Sequence, residues 1–401
     1  MVRIAGGLLS SKIIALFIGP AGMALTGSLR NFITSLENFS TLGLQNGIIK
    51  YTAENEKDPE KLQRTLATVC ISILAAIIFF SIILLIPAPY WSEVIFNGTD
   101  QYAWVFRVIA LILPLHIGNL VFVALLNGLG NYKQVIYLNM WGNLIGVLLS
   151  AVLIWQTGLN GALLALALYP ALLFIFSFYH VQRRFPSFSF LKLKYFDASL
   201  LRGLLSYSLM SLVTAILGPV IIIAIRNNII QTSGADDAGY WDAITRISTF
   251  YLMFASTLLT VYFLPKLSIA YTNTETKTVF YSYFKSIIPL YAAGLTVIYL
   301  LRFFIVKLLF SNEFLPMADL FVWQLLGDFF KICSLILGFE FFAKKMTKAF
   351  IVTEVVSFLF LYASSKILIS KYGSEGAVMA HAFTYLIYLL MLSIYFRKKI
   401  I

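Results

Sequence analysis

Six basic side chains fall inside apolar stretches of this chain: Arg3, Lys12, Arg30, Arg107, Arg246 and Lys331. A charge in the middle of a bilayer-spanning helix costs about 2.5–3.5 kcal/mol or more unless it faces water, a ligand or a partner, so each needs a reason. Setting Gly22 on Gly239 brings Arg30 and Arg246 within one residue of equivalence in two related helices. Two guanidinium groups placed this way suit a diphosphate, because arginine offers paired donors and stays protonated at any working pH. Lys12 is placed to join the same cavity, with Lys331 as a further cationic contact. The competing reading is internal neutralisation, of Arg246 by Asp242 four residues earlier and of Arg30 by Glu37 two turns along the same face. Arg107 lies close to a helix end, from which its long stem can carry the charge to the headgroups.

The acidic groups in apolar stretches are fewer. Asp328 and Lys331 stand at i and i+3, a spacing that favours mutual neutralisation, with Glu340 three turns beyond Asp328. Glu37 and Glu354 have no basic neighbour at helical spacing closer than Arg30, and unpaired intramembrane carboxylates are what coupling to a proton or sodium gradient would use. Together with Asp242 and Arg107 these form the candidate coupling or gating set: Glu37, Asp242, Asp328, Glu354 and Arg107. His116 and His381 also fall in apolar stretches; imidazole changes charge near neutral pH, although such residues more often simply pack.

The elements that carry these groups are apolar helices. The composition is 60% hydrophobic and 12% charged, too little polar surface for a soluble globule of this size. Runs long enough to cross a bilayer lie near 3–18, 24–48, 65–87, 102–127, 134–156, 159–181, 203–230, 238–264, 283–305, 317–343, 348–369 and 375–396. The second, fourth, eighth and tenth are the most polar and are expected to line a cavity. The chain also repeats itself. Gly158-Leu159-Asn160-Gly161-Ala162 returns as Gly373-Ser374-Glu375-Gly376-Ala377, and Asn131-Tyr132-Lys133 falls on Met346-Thr347-Lys348, all at an offset of 215. Such duplication, with six spans per copy, gives two parallel six-helix lobes related by an axis along the membrane normal. The expected organisation is an N-terminal lobe over 1–181, a basic linker over 182–202 and a C-terminal lobe over 203–401. By the same offset the first run is about 12–16 residues shorter than its counterpart, so the sequence is expected to start inside its first helix rather than with a signal peptide.

Loop charges give the orientation. With the N-terminus inside, the inner connections and tail hold 19 basic residues against five outside (Arg226, Arg302, Lys307, Lys366 and Lys371), which puts both termini in the cytoplasm. The net charge of +12 therefore reflects membrane topology and implies no nucleic-acid partner. Residues 183–202 mix basic and aromatic side chains and read either as an interfacial helix on anionic lipid or as a solvated linker. Cys70 and Cys333 both fall in membrane runs, outside any disulfide or metal framework. Asp236-Asp237 is the one adjacent acidic pair, too little for a metal site on its own, and Asn97-Gly98-Thr99 is a glycosylation sequon of low specificity. No metal or other cofactor is expected.

Several segments resemble the bacterial lipid-linked oligosaccharide flippases: Gly19-Pro20-Ala21-Gly22, Leu29-Arg30-Asn31-Phe32-Ile33-Thr34, Gly43 to Lys50, Leu264-Pro265-Lys266-Leu267-Ser268 and Trp323-Gln324-Leu325-Leu326-Gly327-Asp328. These form the polysaccharide transporter branch of the multidrug/oligosaccharidyl-lipid/polysaccharide exporter (MOP) superfamily, and the lipid III and O-antigen flippases are the nearest in pattern. The resemblance implies an all-α integral membrane protein with a V-shaped pair of lobes around a cationic cavity, moving an undecaprenyl-diphosphate-linked oligosaccharide across the bacterial inner membrane by alternating access. It implies charges of the same type at Lys12, Arg30, Arg107, Asp328, Lys331 and Glu354, whereas Arg246 departs from the pattern. Membrane lipids, a polysaccharide polymerase and a chain-length regulator are the implied partners. A multidrug exporter of the same superfamily is the first alternative, disfavoured by Arg30 and Arg246 because cationic drugs call for an acidic or aromatic cavity. A membrane polysaccharide polymerase or lipid-sugar glycosyltransferase is the second, disfavoured by the short loops.

Overall fold

The computed structural model describes residues 2–184 and 192–400, all of whose regular structure is helical. The expected interfacial segment over 183–202 falls partly on residues 185–191, and the side chain of Arg3 likewise lies outside what is described. In chain order the α-helices are α1 (Val2–Phe17), α2 (Gly19–Ser40), α3 (Gln45–Asn55), α4 (Pro59–Leu85), α5 (Ala88–Ile95), α6 (Ala103–Gly128), α7 (Tyr132–Thr157) and α8 (Leu159–Arg184). After a short 3₁₀ turn at Leu193–Tyr195 follow α9 (Ala198–Ser233), α10 (Ala235–Leu258), α11 (Leu264–Ile269), α12 (Asn273–Leu300), α13 (Arg302–Leu309), α14 (Phe321–Ala343), α15 (Thr347–Tyr395) and α16 (Arg397–Ile400).

Among the described residues nine helical segments are long and apolar enough to cross a membrane. One of them, α15, is two spans joined through Gly373, whose φ of 57° and ψ of −138° break the helix without ending its run. The remaining two expected spans are α1, which is short at 16 residues, and α2, whose polar face keeps it outside the set. The chain is a multi-pass membrane protein.

The duplication is written into the backbone. Gly19, Gly130 and Gly158 have positive φ, and so do the residues 215 positions later, Gly234, Lys345 and Gly373. Gly158 (φ 59°, ψ −128°) and Gly373 share nearly the same conformation, one that L side chains adopt only under strain. The helix starts correspond as well. Asp58 caps α4, its Oδ1 accepting from Lys61 N at 3.2 Å ahead of Pro59, while Thr272 and Glu275 form a reciprocal capping box at the start of α12. Some boundaries differ from the apolar runs. The second run breaks at a tight turn over residues 41–44, where Leu42 and Gly43 take positive φ, and α12 begins ten residues before its apolar run because its first turns are polar.

Two compact units emerge from the packing. The first comprises residues 1–17 and 25–223, the second residues 18–24 and 224–401. The first has a core in which Leu29, Phe32, Ile33 and Leu36 of α2 meet Val105, Phe106 and Ile109 of α6, with Phe32 edge-on to Phe106 at 5.2 Å. Packing in lipid gains little from the hydrophobic effect, so close approach matters more. Gly142 and Gly146 of α7 serve this purpose, a Cβ at either meeting Leu173 at 2.6 Å or Tyr169 at 3.1 Å. The second unit is rich in buried aromatics, with Phe341 packed against Phe350, Tyr395 and Phe396, and the Tyr283 hydroxyl donating to Ile332 O at 2.9 Å.

In the second unit three repeat-related turns are tied together by the acidic pair. Ala21 N, at the start of α2, donates to Asp236 Oδ1 at 3.1 Å, and Asp237 accepts from Ser233 and Ser374. Asp236 thus satisfies an N–H at the start of α2, and both carboxylates stand in the first turn of α10, where the helix dipole favours negative charge. Among the described residues no cluster of three metal-ligating side chains occurs.

Candidate functional site

The second unit holds two buried polar clusters. In the first, Asp242 and Arg246 stand one turn apart on α10, and Arg246 Nε donates to Asp242 Oδ2 at 2.7 Å. The i, i+4 pairing was legible in the spacing. Its third member was not: Arg226 of α9 donates through Nη2 to Asp242 Oδ1 at 2.6 Å and lies 5.5 Å from the Trp241 ring centroid. All three are almost sealed, at 1% (Arg226), 4% (Asp242) and 7% (Arg246) exposure. Arg226 is therefore a buried helix residue and no loop charge, which leaves four of the five basic residues expected on the outer side. One carboxylate shared by two guanidinium groups leaves the cluster with a net single positive charge. Asp242 fixes the position of both, so the internal pairing that the spacing offered for Arg246 is present.

The second cluster is built on Asp328 of α14, which is fully buried. Its Oδ2 accepts from Ser248 Oγ of α10 at 2.6 Å, from Gln324 Nε2 at 3.1 Å and from the Tyr251 hydroxyl, while Oδ1 lies 3.0 Å from His381 Nε2 of α15. Gly327 makes this possible. A Cβ there would lie 2.3 Å from His381 Cδ2 and 3.0 Å from the Ala382 backbone, so only glycine lets α15 come close enough for the imidazole to reach the carboxylate.

Asp328 and Lys331 attract each other through space but form no direct ion pair: Asp328 is bonded from α10, α14 and α15, and the Lys331 ammonium sits 4.8 Å from the centroid of the Tyr385 ring. The same ring packs edge-on to His381 at 4.8 Å. Glu354, expected to be unpaired, accepts a 2.7 Å hydrogen bond from the Tyr388 hydroxyl. Glu340 is paired with Lys399 at 2.6 Å, which fastens the basic tail to the end of α14.

The first unit carries Lys12, Arg30, Glu37 and Arg107. Lys12 on α1 and Arg30 on α2 are half-buried, and Arg107 is exposed on α6, where its charge reaches outward as its place near the helix end suggested. Glu37 is also not unpaired: its Oε1 lies 2.7 Å from Nε2 of the buried His116 on α6. The Glu37 carboxylate is thus taken up by His116 rather than left for Arg30. Both intramembrane histidines, read from sequence as packing residues, prove to be partners of intramembrane carboxylates. No spacing rule could have found these pairs, because each joins separate helices. The backbone repeat, with Gly19 on Gly234, sets Arg30 level with Thr245 and one residue from Arg246, a difference of about 100° around a helix.

Comparison with known proteins places this architecture. Residues 7–271 match the family model for polysaccharide biosynthesis proteins. The chain is 34% identical over 394 residues to the Lipid III flippase of Escherichia coli (strain K12), with 97% of this chain and 93% of that protein covered, and equally to the Lipid III flippase of Shigella flexneri. Among solved structures it resembles a multidrug resistance MATE family transporter of the MOP superfamily in its inward-facing conformation, with a TM-score of 0.87, 14% identity and coverage of 99% and 94% of the two chains. It also resembles a MOP superfamily transporter from Pyrococcus furiosus, with a TM-score of 0.67, 13% identity and coverage of 100% and 94%. At such identities the structural likeness establishes the fold alone, whereas the family match and the near-complete 34% likeness establish descent. The chain belongs to the polysaccharide biosynthesis protein family and is a membrane transporter with the exporter fold of the MOP superfamily.

Proposed function

We propose that this protein is a flippase that carries an undecaprenyl-diphosphate-linked oligosaccharide, of the O-antigen or enterobacterial-common-antigen type, from the cytoplasmic to the outer leaflet of the bacterial inner membrane, with both termini in the cytoplasm. The observation that carries the reading is the end-to-end likeness to Lipid III flippases at 34% identity. The chemistry of the interior agrees with it. The barrier to flipping is desolvation of a charged, polyhydroxylated head, and preplaced cationic donors lower it by replacing water at the phosphates. Arg30, Arg246, Lys12 and Lys331 are the proposed substrate contacts. A cationic drug would find Arg226 and Arg246 a repulsive pair, which disfavours the multidrug alternative; the names of the relatives likewise disfavour a polymerase or glycosyltransferase.

The proposed coupling and gating groups are Glu37, Asp242, Asp328, Glu354 and Arg107. Two of them, Glu37 and Asp328, face imidazoles at 2.7 and 3.0 Å, and a carboxylate–imidazole pair is proton-carrying chemistry. This favours coupling to a proton gradient, the imidazole of each pair offering a second place for a proton carried by the carboxylate.

The test is restoration of glycan export in cells lacking their own lipid-linked-glycan flippase. The wild-type chain should restore export, Arg30→Ala should abolish it at normal membrane levels, and Arg30→Lys should restore it partly, since an ammonium keeps the charge but loses the fork. Wild-type export by Arg30→Ala and Arg246→Ala, singly and combined, would remove these arginines as the diphosphate site and turn the search to Lys12 and Lys331.

A further inference from the structure

The second unit contains a polar pocket of about 230 Å³ that neither charged cluster uses. It is lined by Asn227, Asn228 and Gln231 of α9 and by Tyr362, Ser365 and Lys366 of α15. Amides and hydroxyls are costly in a membrane helix unless they are satisfied, and five such side chains converging with a lysine from two helices is an unusual concentration. Ser365 makes the point sharpest. It is 1% exposed, and its hydroxyl has no hydrogen-bond partner in the protein. Its neighbour Ser364 shows the ordinary solution, donating to the carbonyl of Phe360 at 2.7 Å one turn back. Ser365 forgoes that bond at the wall of the pocket, so a polar group there is left for something that the pocket takes in.

The lining states what that is. Three carboxamides, a phenol and a hydroxyl each offer both a donor and an acceptor, which is the pattern that reads the hydroxyl groups of a sugar. No carboxylate lines the pocket, which argues against a cation, and the exposed Lys366 at the rim adds attraction for an acidic substituent. The volume equals that of roughly seven or eight water molecules at about 30 Å³ each, room for one sugar ring and not for an oligosaccharide or an acyl chain. The depth is also informative. Gln231 lies two residues before the end of α9 at Ser233, and Lys366 lies seven before the Gly373 break, both at the ends remote from the basic linker and from Lys344, Lys345 and Lys348. On the proposed orientation this is the outer side, where the glycan leaves.

We propose that the pocket between α9 and α15 is a glycan subsite, holding one sugar ring of the lipid-linked oligosaccharide near the outer face. The inference rests on the flippase reading and on its orientation, and deepens both by separating recognition of the sugar from that of the diphosphate.

The experiment has two arms. In the first, Gln231→Cys is introduced into the full chain carrying Cys70→Ser and Cys333→Ser, and maleimide labelling is followed in nanodiscs. The glycosylated polyprenyl lipid extracted from flippase-deficient cells should slow labelling, and bare undecaprenyl diphosphate should not. Equal protection by bare undecaprenyl diphosphate or by phosphatidylglycerol would make the site a phosphate site and overturn the proposal, as would protection by none of them. In the second arm, Asn228→Leu, Ser365→Ala and Lys366→Met are tested for glycan export. Each should fall roughly threefold to tenfold, the scale of one or two hydrogen bonds. Lys366 is exposed, so its variant should fold normally whatever the others do. A wild-type chain that fails to restore export would overturn the flippase reading itself; a wild type that restores it, matched by all three variants, would overturn the pocket alone.

Discussion

Replacing Asp242 by Asn would leave Arg226 and Arg246 buried side by side without the carboxylate that both of them bond. One of the two charged hydrogen bonds, at 2.6 and 2.7 Å and worth about 1.5–3 kcal/mol, is lost because an amide NH2 replaces one acceptor oxygen; the other loses its negative partner, and the guanidinium groups are left to repel. Breaking a buried ion pair by removing one partner costs about 3–5 kcal/mol, and Asp242→Asn should fall in that range. Arg226→Met should cost less, because Asp242 keeps Arg246 and the methionine can still pack on Trp241. The decisive variant is the double one. Arg226→Met with Asp242→Asn removes one positive and one negative charge, keeping the cluster at a single positive charge, and should recover a large part of the loss. The assay is thermal unfolding of the purified protein in nanodiscs, followed by intrinsic fluorescence at a fixed scan rate because unfolding of such proteins is rarely reversible. If Asp242→Asn melts with the wild type, or the double variant is no more stable than Asp242→Asn alone, the carboxylate is not what holds the two arginines.

Other expectations follow from the remaining contacts. Gly327→Ala should push His381 off Asp328 and alter the pH profile of glycan export, with a smaller effect from His381→Gln, which retains a hydrogen-bonding side chain; unchanged profiles for both would exclude the pair from coupling. Gly158→Ala and Gly373→Ala should each destabilise the fold by about 1–3 kcal/mol, measured by the same melts, because the backbone there has positive φ. Cysteines at Lys57, Lys194 and Lys344 should be shielded from impermeant reagents in intact cells while those at Asn97 and Asp236 react, and the opposite pattern would invert the proposed topology. The Asp197 carboxyl is held below its ordinary range by the Ser199 hydroxyl and by the amides of Leu200 and Ser199. Its contribution to the start of α9 is therefore present above about pH 4 and fades as the pH falls further, so the protection of the amides of residues 198–201, measured against their intrinsic exchange rates at each pH, should fall in acid and become insensitive to that change in Asp197→Ala.

Much of the architecture was legible in the chain because its causes are local or periodic. Apolar runs of bilayer length report spans directly, since lipid leaves the backbone no alternative to helix. The repeat could be read from glycines because only certain residues tolerate the turns at 19, 158, 234 and 373, so a backbone requirement became a sequence pattern. The Asp242–Arg246 pair was visible for the same reason, one helical turn being four residues. What the tertiary structure decided was the partner of every charge whose counterpart lies on another helix. Arg226 looked like a loop cation and is the most buried arginine of the second unit; Glu37 and Asp328 looked available or locally neutralised and are bound by His116 and His381. Helical periodicity fixes the face a side chain occupies, but which neighbour meets that face depends on how closely the helices approach. That approach is set by side chains such as Gly327, whose absence of a Cβ has no meaning until Ala382 is seen against it.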